Sequence, residues 1–555
     1  MKKDDERLVE NGGEEKDYKA EKKSEVIEHV IILALSIVLF LVGALLKNET
    51  VQRWLYTFSF VTAGYEVLYS AIVKLSKKEV IIEEIAVVLS LLVLLYDGYG
   101  ECSCIIAVIY SAIALYQKIF AYIAIARSEN VSFAADCETD EEIKKYLRLR
   151  SENLKLFADE QDCSKPEEKR FKIVCGIVGI ALGLLVAFVP PIFIKGDYGT
   201  LLTDKWLACG AILIALWQLS ALFTSRFACY LSATVAGDGR GIIFGSFNAV
   251  DCVADKNEVV FDCSGVITEK DVKILSVESQ NIAETLSIAI EAESETDERF
   301  RSALASYAKE LKIDLPKIEL SDVNFIESAG ITLCYNAKKY VVGSKKLVKS
   351  ESGVLIECNE ENPVIFVADE KGCVGKISYK HIEKANVSGE FAELSDGVGV
   401  TTTIISSGLV SSVNALKRNV GADKAIAGAS IAYKADYVKN AAALYVGDEN
   451  YDRGVIRALN GECVTVGGAK SYENGVTIDG NDVRQVPVTV KIAKRSVKLR
   501  KFITRLNLGL KSAAIIGGVA LFAFTGKFLW LPILLCAIAD AVSLGCAAIN
   551  LSDPS

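Results

Sequence analysis

The stretch VVFDCSGVIT, Val259 to Thr268, decides how the polar part of this 555-residue chain is read. A run of apolar strand formers ends on Asp262, and small and hydroxyl residues follow at once. A short apolar run closed by a turn is the pattern of a strand covered on both faces, as in a parallel sheet. In such sheets the residues at the carboxyl ends of the strands gather at one crevice. Moving outward, NEVVFDC, GVTTTIISS, ALYVGDEN and CVTVGG each read as a strand of this kind, with helical stretches between them. The region from about Asp238 to Lys501 is therefore expected to be α/β, a parallel sheet with crossover helices. Asp262 and Asp448 each follow an apolar strand, and Asp452 lies four residues beyond Asp448. Three carboxylates so grouped suit Mg²⁺ and a phosphoryl group, because hard oxygen ligands hold the ion and the ion offsets phosphoryl charge. The plainer alternative is that all three are ordinary turn residues.

The rest of the chain is apolar. Hydrophobic residues make up 51 % of it, and the mean hydropathy is +0.30, so an integral membrane protein is expected. Runs of about 20 apolar residues, the length that crosses a bilayer, fall at Val26–Leu46, Trp54–Leu75, Val80–Tyr96, Ile105–Ala126, Phe171–Ile194, Trp206–Ala236, Ile503–Thr525 and Leu529–Leu551. That makes eight expected spans, the third short and the sixth long. Loops such as KLSKKE, ARSEN and KIAKRSVKLRK are richer in Lys and Arg than DGYGECS, KGDYGTLLTDK and TGK. Basic loops stay on the cytoplasmic side, so both termini and the large region are expected there, most simply at the cell membrane. Residues 1–25 read as a charged solvated tail and not a signal peptide, since the apolar run after them is long enough to span and lacks a small-residue cleavage site. A net charge of −9 argues against a nucleic-acid partner. Fifteen cysteines on a cytoplasm-facing protein suggest free thiols. Cys102 and Cys104, in an expected external loop, are either a metal clip or, more simply, incidental small hydrophobes.

In order along the chain, these stretches resemble the P-type ATPases. VVFDCSGVIT is similar to their phosphorylation motif F-D-K-T-G-T-[LI]-T, VGDENYD to V-G-D-G-x-N-D, and GRGIIFG to the R-G-I-L-I-K-G that precedes the phosphorylation strand. TAGYEVLYSAIVKL and AFVPPIFI look like the second and fifth spans of the heavy-metal branch. The resemblance implies a haloacid-dehalogenase-like P domain in two parts, 237–268 and 366–501, with a small α+β N domain at 269–365 between them. It also implies four spans within 26–126, a loop at 127–170, two spans within 171–236 and two within 502–551. Asp262 would be the phosphoryl acceptor, Asp262, Asp448 and Asp452 would hold Mg²⁺, and ATP would be the donor.

The departures from the family pattern bear on function. The family's lysine and two threonines around the phosphate fall on Cys263, Ser264 and Val266; Asp262, Gly265 and Thr268 match. Its T-G-D falls on Ser406, Ser407 and Gly408, leaving Ser406 as the hydroxyl. Its P-E-D-K lysine, which brings positive charge to the transferring group, falls on Asp436, with Lys434 the nearby substitute. The second glycine and the asparagine of the hinge motif are Glu449 and Tyr451. The nucleotide motifs S-E-H-P and P-G-x-G fall on SETD, with Thr296 and Asp297, and on ESAG, where only Gly330 survives beside Glu327. The family's actuator domain, whose T-G-E directs hydrolysis of the aspartyl phosphate, would need roughly a hundred residues. The loop here has about forty, no T-G-E, and a stretch, DEEIKKYLRLRSENLKLFA, that reads as a charged amphipathic helix.

Charged residues inside spans are functional candidates by default. NLGLKSA and IADAVSLGCAAIN look like the lysine and aspartate segments of zinc, cadmium and lead exporters, which places Lys511 and Asp540 at a transmembrane ion site with Glu83 and Gln218. The soft C-P-C ligands are replaced by Gln218, Leu219 and Ser220. A Lys511–Asp540 ion pair would account for both charges structurally. The expected function is that of a degenerate heavy-metal P-type ATPase-like membrane protein without ATP-driven transport, acting by binding or regulation, with a divalent metal or another transporter subunit as partner. Two alternatives stay open: a working exporter of a divalent metal such as zinc, and a membrane-tethered phosphatase using Asp262 as nucleophile. Ser264 weakens the second, since phosphatases of that superfamily resemble one another in carrying an acid there.

Overall fold

The computed structural model describes residues 2–76, 82–128, 166–195, 205–217, 220–292, 298–318, 320–326, 330–353, 355–356, 362–385, 387–408, 410–449, 451–467, 472–478, 483–525 and 530–552. The chain divides into two compact units: 1–254 with 491–555, and 255–490.

The first unit is helical. Among the described residues six helical segments are long and apolar enough to cross a membrane: Lys19–Leu45, Gly100–Ala126, Arg170–Pro190, Lys205–Asp238, Gln485–Phe522 and Trp530–Ile549. The expected second and third spans appear as shorter pieces. Glu49–Ala63 and Tyr65–Ser76 are separated at Gly64, and Ile82–Tyr96 has only 15 residues. One helix, Lys2–Leu45, takes in the charged N-terminal stretch together with the first span. The expected loop around Cys102 and Cys104 is also corrected. Both lie on the helix Gly100–Ser128 and are buried, and the Cys104 thiol donates to the Tyr56 carbonyl at 3.2 Å. Residues two apart on a helix point away from each other, so these thiols form no metal clip.

Packing in this unit follows bilayer logic, in which small residues let backbones approach and polar groups find partners on neighbouring helices. Gly179, Gly183 and Ala187 recur every four residues on one face of Pro166–Lys195. A Cβ added at Gly183 would lie 2.2 Å from Ile214 and 2.8 Å from the Gly210 carbonyl, so that helix meets Lys205–Trp217 almost backbone to backbone. Ser36 and Ser59 exchange hydrogen bonds with each other's carbonyls at 3.1 and 2.9 Å. The Tyr110 and Tyr116 hydroxyls donate to the carbonyls of Ala215 and Leu544, each at 2.8 Å. In the same unit, Arg500 pairs with Asp251 at 2.8 Å, and the Tyr230 hydroxyl donates to the same carboxylate at 2.9 Å.

The second unit holds two sheets. The parallel one runs through Val476–Ile478, Cys463–Val466, Leu444–Asp448, Glu258–Asp262, Thr401–Ile405 and Lys424–Ile426 in that order. All four strands read from the sequence are present. The chain goes to opposite sides of Glu258–Asp262 after Thr401–Ile405 and Leu444–Asp448, so the carboxyl end of the central strand faces a crevice between crossovers. The other sheet is antiparallel, in the order Thr268–Ser279, Gly372–Glu383, Val364–Asp369, Lys338–Gly343, Gly330–Tyr335 and Ser321–Ile326. Ile282–Ala292 and Glu298–Glu310 bury their apolar faces against it through Leu286, Ala289, Phe300 and Leu304. The boundary expected at 365 falls inside this sheet, which closes only at Glu383 because Gly372–Glu383 pairs along almost the whole length of Thr268–Ser279.

Candidate functional site

Asp262 sits at the carboxyl end of the central strand, level with Ile405 of one neighbour, and only 2 % of it is exposed. Three donors reach its carboxylate. Oδ1 accepts the Cys263 backbone N–H at 2.7 Å, and Oδ2 accepts both the Lys434 ammonium and the Tyr445 hydroxyl, the latter at 2.7 Å. The loop after it turns on Gly265, whose φ of +75° suits glycine. A Cβ there would also lie 2.7 Å from Asp448 Oδ2, which brings the Asp448 carboxylate against this loop. Thr268 closes the turn by donating to the Cys263 carbonyl at 3.0 Å, and the Lys384 ammonium donates to the Gly265 carbonyl at 2.7 Å.

Lys434 is placed by local sequence. Ser430 caps the helix Ile431–Asn440 by accepting the Tyr433 N–H, and one residue later Lys434 turns inward, 6 % exposed, while Asp436 is on the exposed face. The side chain that reaches Asp262 is thus Lys434 and not Asp436. Its ammonium also lies 3.8 Å from Asp452 Oδ1. Burial alone would lower the lysine, but the charges of Asp262 and Asp452 outweigh it and hold the ammonium above the ordinary value. Asp452 moves the other way. Burial, then the charge of Asp262, pushes its carboxyl up to about 8 against the pull of Lys434. Burial also raises the Cys263 thiol to about 12, with Asp262 adding to it, so no thiolate is available there. Ser406, one residue past Ile405, has its Oγ accepting the Gly408 N–H at 3.1 Å.

The four residues Asp262, Lys434, Asp448 and Asp452 are brought together, but they do not make a three-carboxylate metal station. No group of three His, Cys, Asp or Glu among the described residues is arranged to hold a metal ion. Asp452 is the one that departs from that expectation, with Oδ2 accepting the Asp448 N–H at 3.2 Å and Oδ1 facing Lys434. The donor chemistry still fits Mg²⁺ on Asp262 and Asp448, two buried carboxylates at adjacent strand ends, since this ion commonly takes one or two carboxylates and completes its shell with water and phosphate.

The nucleotide-facing positions Thr296, Asp297 and Glu327 lie outside the described residues. Gly330 does have a structural reason to be glycine. Its φ is +139°, and a Cβ there would lie 2.2 Å from the Val342 carbonyl across the sheet. Gly330→Ala is expected to destabilise the antiparallel sheet by roughly 1–3 kcal/mol, a strain cost independent of any nucleotide. Urea unfolding with and without ATP checks this, and an equal loss of stability in both conditions is the expected outcome.

In the helical unit, Lys511 and Asp540 form an ion pair of 3.0 Å, with 2 % and 6 % exposure. The Lys511 ammonium also donates to the Leu216 carbonyl at 3.2 Å. Asn507 Nδ2 donates to Asp540 Oδ1 at 3.1 Å and to Ser543 Oγ at 2.9 Å. Gln218 is outside the described residues, and of Glu83 only its place in the helix Ile82–Tyr96 is described. Three contacting residues were not singled out from sequence. Tyr445 is a hydroxyl in an otherwise apolar strand, Asn507 lies one helical turn before Lys511, and Ser543 lies three residues after Asp540. Those spacings were the available signal.

No protein-family model matches the chain. In sequence it is 24 % identical over 360 residues to a probable cadmium-transporting ATPase of Alkalihalophilus pseudofirmus, covering 60 % of this chain and 49 % of that protein. It is 23 % identical over 287 residues to a copper-exporting P-type ATPase of Staphylococcus haemolyticus, covering 48 % of this chain and 35 % of that one. The chain thus spans about half the length, or less, of the curated relatives it matches. In structure it resembles a zinc-transporting PIB-type ATPase in an E2·Pi state, with a TM-score of 0.55, 14 % identity, and coverage of 96 % of this chain and 99 % of that one. At that identity the likeness is one of fold.

Proposed function

We propose that this chain, a relative of the heavy-metal P-type ATPases in sequence and fold, is a membrane protein that has lost ATP-driven metal transport and acts by binding or by regulating a partner transporter. One observation carries the reading. The Asp262 carboxylate, where the family's phosphoryl group would form, already accepts from three donors, the Cys263 N–H on Oδ1 and Lys434 and Tyr445 on Oδ2. Cys263, Ser264 and Val266 stand where the family's charged and hydroxyl groups would receive a phosphate. The sequence between the fourth and fifth expected spans is also shorter than an actuator domain and contains no T-G-E, which leaves hydrolysis of an aspartyl phosphate without its glutamate.

In this reading the chain crosses the membrane eight times, with Glu49–Ser76 as the second crossing and Ile82–Tyr96 as a short third. Both termini and the α/β unit face the cytoplasm. The parallel sheet is the P domain and the antiparallel sheet the N domain. If ATP is bound with Mg²⁺, Asp262 and Asp448 hold the ion, which offsets phosphate charge. Lys434 supplies the fixed positive charge on the acceptor side.

The test is acid-stable labelling of the reconstituted protein by γ-labelled ATP with Mg²⁺, with and without zinc, beside Asp262→Asn. No label above the Asp262→Asn background is expected. Label that requires Asp262 and responds to zinc would establish the second reading, a working exporter of a divalent metal. What favours that reading is the retained grouping of Asp262, Lys434 and Asp448 together with the buried Lys511–Asp540 pair.

A further inference from the structure

We infer that Tyr445 is a positioning residue that pins the Asp262 carboxylate and withholds an oxygen lone pair from phosphoryl donors. The inference deepens the reading above and rests on its assignment of Asp262 as the acceptor position.

Tyr445 lies on Leu444–Asp448, the strand beside Asp262, with none of its surface exposed. It belongs to a buried apolar cluster with Val260, Ala435, Val438 and Ile456. The backbone makes room for it. A Cβ at Gly447 would lie 2.6 Å from the tyrosine Cε1, and the ring passes beneath that glycine toward the crevice. A buried phenol needs an acceptor, and Asp262 Oδ2 supplies it at 2.7 Å.

The consequence concerns electron pairs. Asp262 could accept a phosphoryl group by attacking phosphorus with a carboxylate lone pair, forming an O–P bond while the bond from phosphorus to the leaving oxygen breaks and its electrons depart with the leaving group. Oδ1 already accepts the Cys263 N–H, and Oδ2 accepts Lys434 and Tyr445. The ammonium is useful to the reaction, because it offsets charge on the transferring group. The phenol is not, since it draws density from the attacking oxygen and occupies one of its lone pairs. An aliphatic or phenyl side chain at 445 would fill the same hydrophobic slot and leave that lone pair open.

The test uses the full chain in detergent with labelled acetyl phosphate and Mg²⁺. This small donor needs no nucleotide pocket, and its attack releases acetate. Tyr445→Phe keeps the ring and is expected to raise the maximal rate of acid-stable labelling by about tenfold, a change equal to about 1.4 kcal/mol. The donor concentration for half-maximal rate should stay unchanged, and Asp262→Asn combined with Tyr445→Phe should abolish the gain. A space-filling role for Tyr445 would give equal maximal rates in the two proteins. Equal rates, whether both zero or both high, overturn the inference, provided the thermal transitions agree to within a few degrees. A Tyr445→Met variant guards against local collapse around the ring, since its flexible side chain repacks the slot without a hydroxyl. Slow label of the wild-type protein by acetyl phosphate leaves the loss of ATP-driven transport to the ATP experiment above, because this donor bypasses the nucleotide, and the ratio of variant to wild type decides the role of Tyr445.

Discussion

Lys434→Met is expected to cost the α/β unit roughly 3–5 kcal/mol, because it removes one partner of a buried charge pair and leaves the other uncompensated. Lys434 and Asp262 are 6 % and 2 % exposed, and Asp452, 6 % exposed, lies within 3.8 Å of the same ammonium. Asp452 already carries a proton below about pH 8, so without the lysine the Asp262 charge is left in a water-poor crevice with no counter-charge. The readout is pulse proteolysis of residues 255–490 in urea, and an unchanged midpoint would show that the ammonium is not what holds these carboxylates. A pH series adds a sign. Asp452 has its carboxyl raised from 3.8 to about 8, so the folded state keeps a proton that the unfolded chain releases. Stability is therefore highest at the acid end, falls as pH rises from about 4 to about 8, and levels off above that, by up to about 1.4 kcal/mol per pH unit. Asp452→Asn should flatten this dependence and be the more stable protein at pH 8. A slope that survives the substitution would assign the titration to another group.

The strands around Asp262 could be read from sequence because a doubly covered parallel strand writes its own signal, a short apolar run ended by a polar residue. Glu258–Asp262, Thr401–Ile405, Leu444–Asp448 and Cys463–Val466 all carry that signal. The acid triad was half legible. Asp448 and Asp452 are four apart, and spacing alone does not tell a metal ligand from an acid that caps the backbone of its neighbour, which is what Asp452 does for Asp448. Lys434 was found only as a substitute near Asp436, on which the family's lysine falls, because the two lie two residues apart on one helix and the resemblance does not say which one turns inward. Tyr445 was invisible as a site residue, since a tyrosine within a buried strand reads as core until its hydroxyl is seen to need an acceptor. The second and third spans were harder still. Gly64 divides one apolar run into Glu49–Ala63 and Tyr65–Ser76, and composition averages over that break.

Lys511→Met should destabilise the helical unit by a similar 3–5 kcal/mol, and the double change Lys511→Met with Asp540→Leu should recover most of that loss. The reason is again the uncompensated partner, here in a setting with less water. Asp540 keeps the Asn507 amide as a donor, but a neutral donor does not replace a charge at 3.0 Å. The Leu216 carbonyl would also lose the ammonium that it accepts from. Asn507→Ala is the smaller perturbation, expected to cost about 1 kcal/mol, since interhelical hydrogen bonds in membranes are individually weak. Thermal unfolding of the full chain in one detergent, followed through its tryptophans, measures all three, because Trp54, Trp206, Trp217 and Trp530 all belong to the helical unit. If the double change is no more stable than Lys511→Met alone, the lysine matters through packing and its bond to Leu216, and charge neutralisation is the wrong account. If it recovers, the pair is a self-neutralised unit, and any cation that binds Asp540 must first displace Lys511. That requirement bears directly on metal affinity, because the ion has to exceed the lysine in charge and in the number of oxygen ligands it gathers. The Asp540 carboxylate, Ser543 Oγ and the Leu216 carbonyl are oxygens in contact with this cluster, and oxygen donors favour hard ions over the soft ones that a cysteine pair would select.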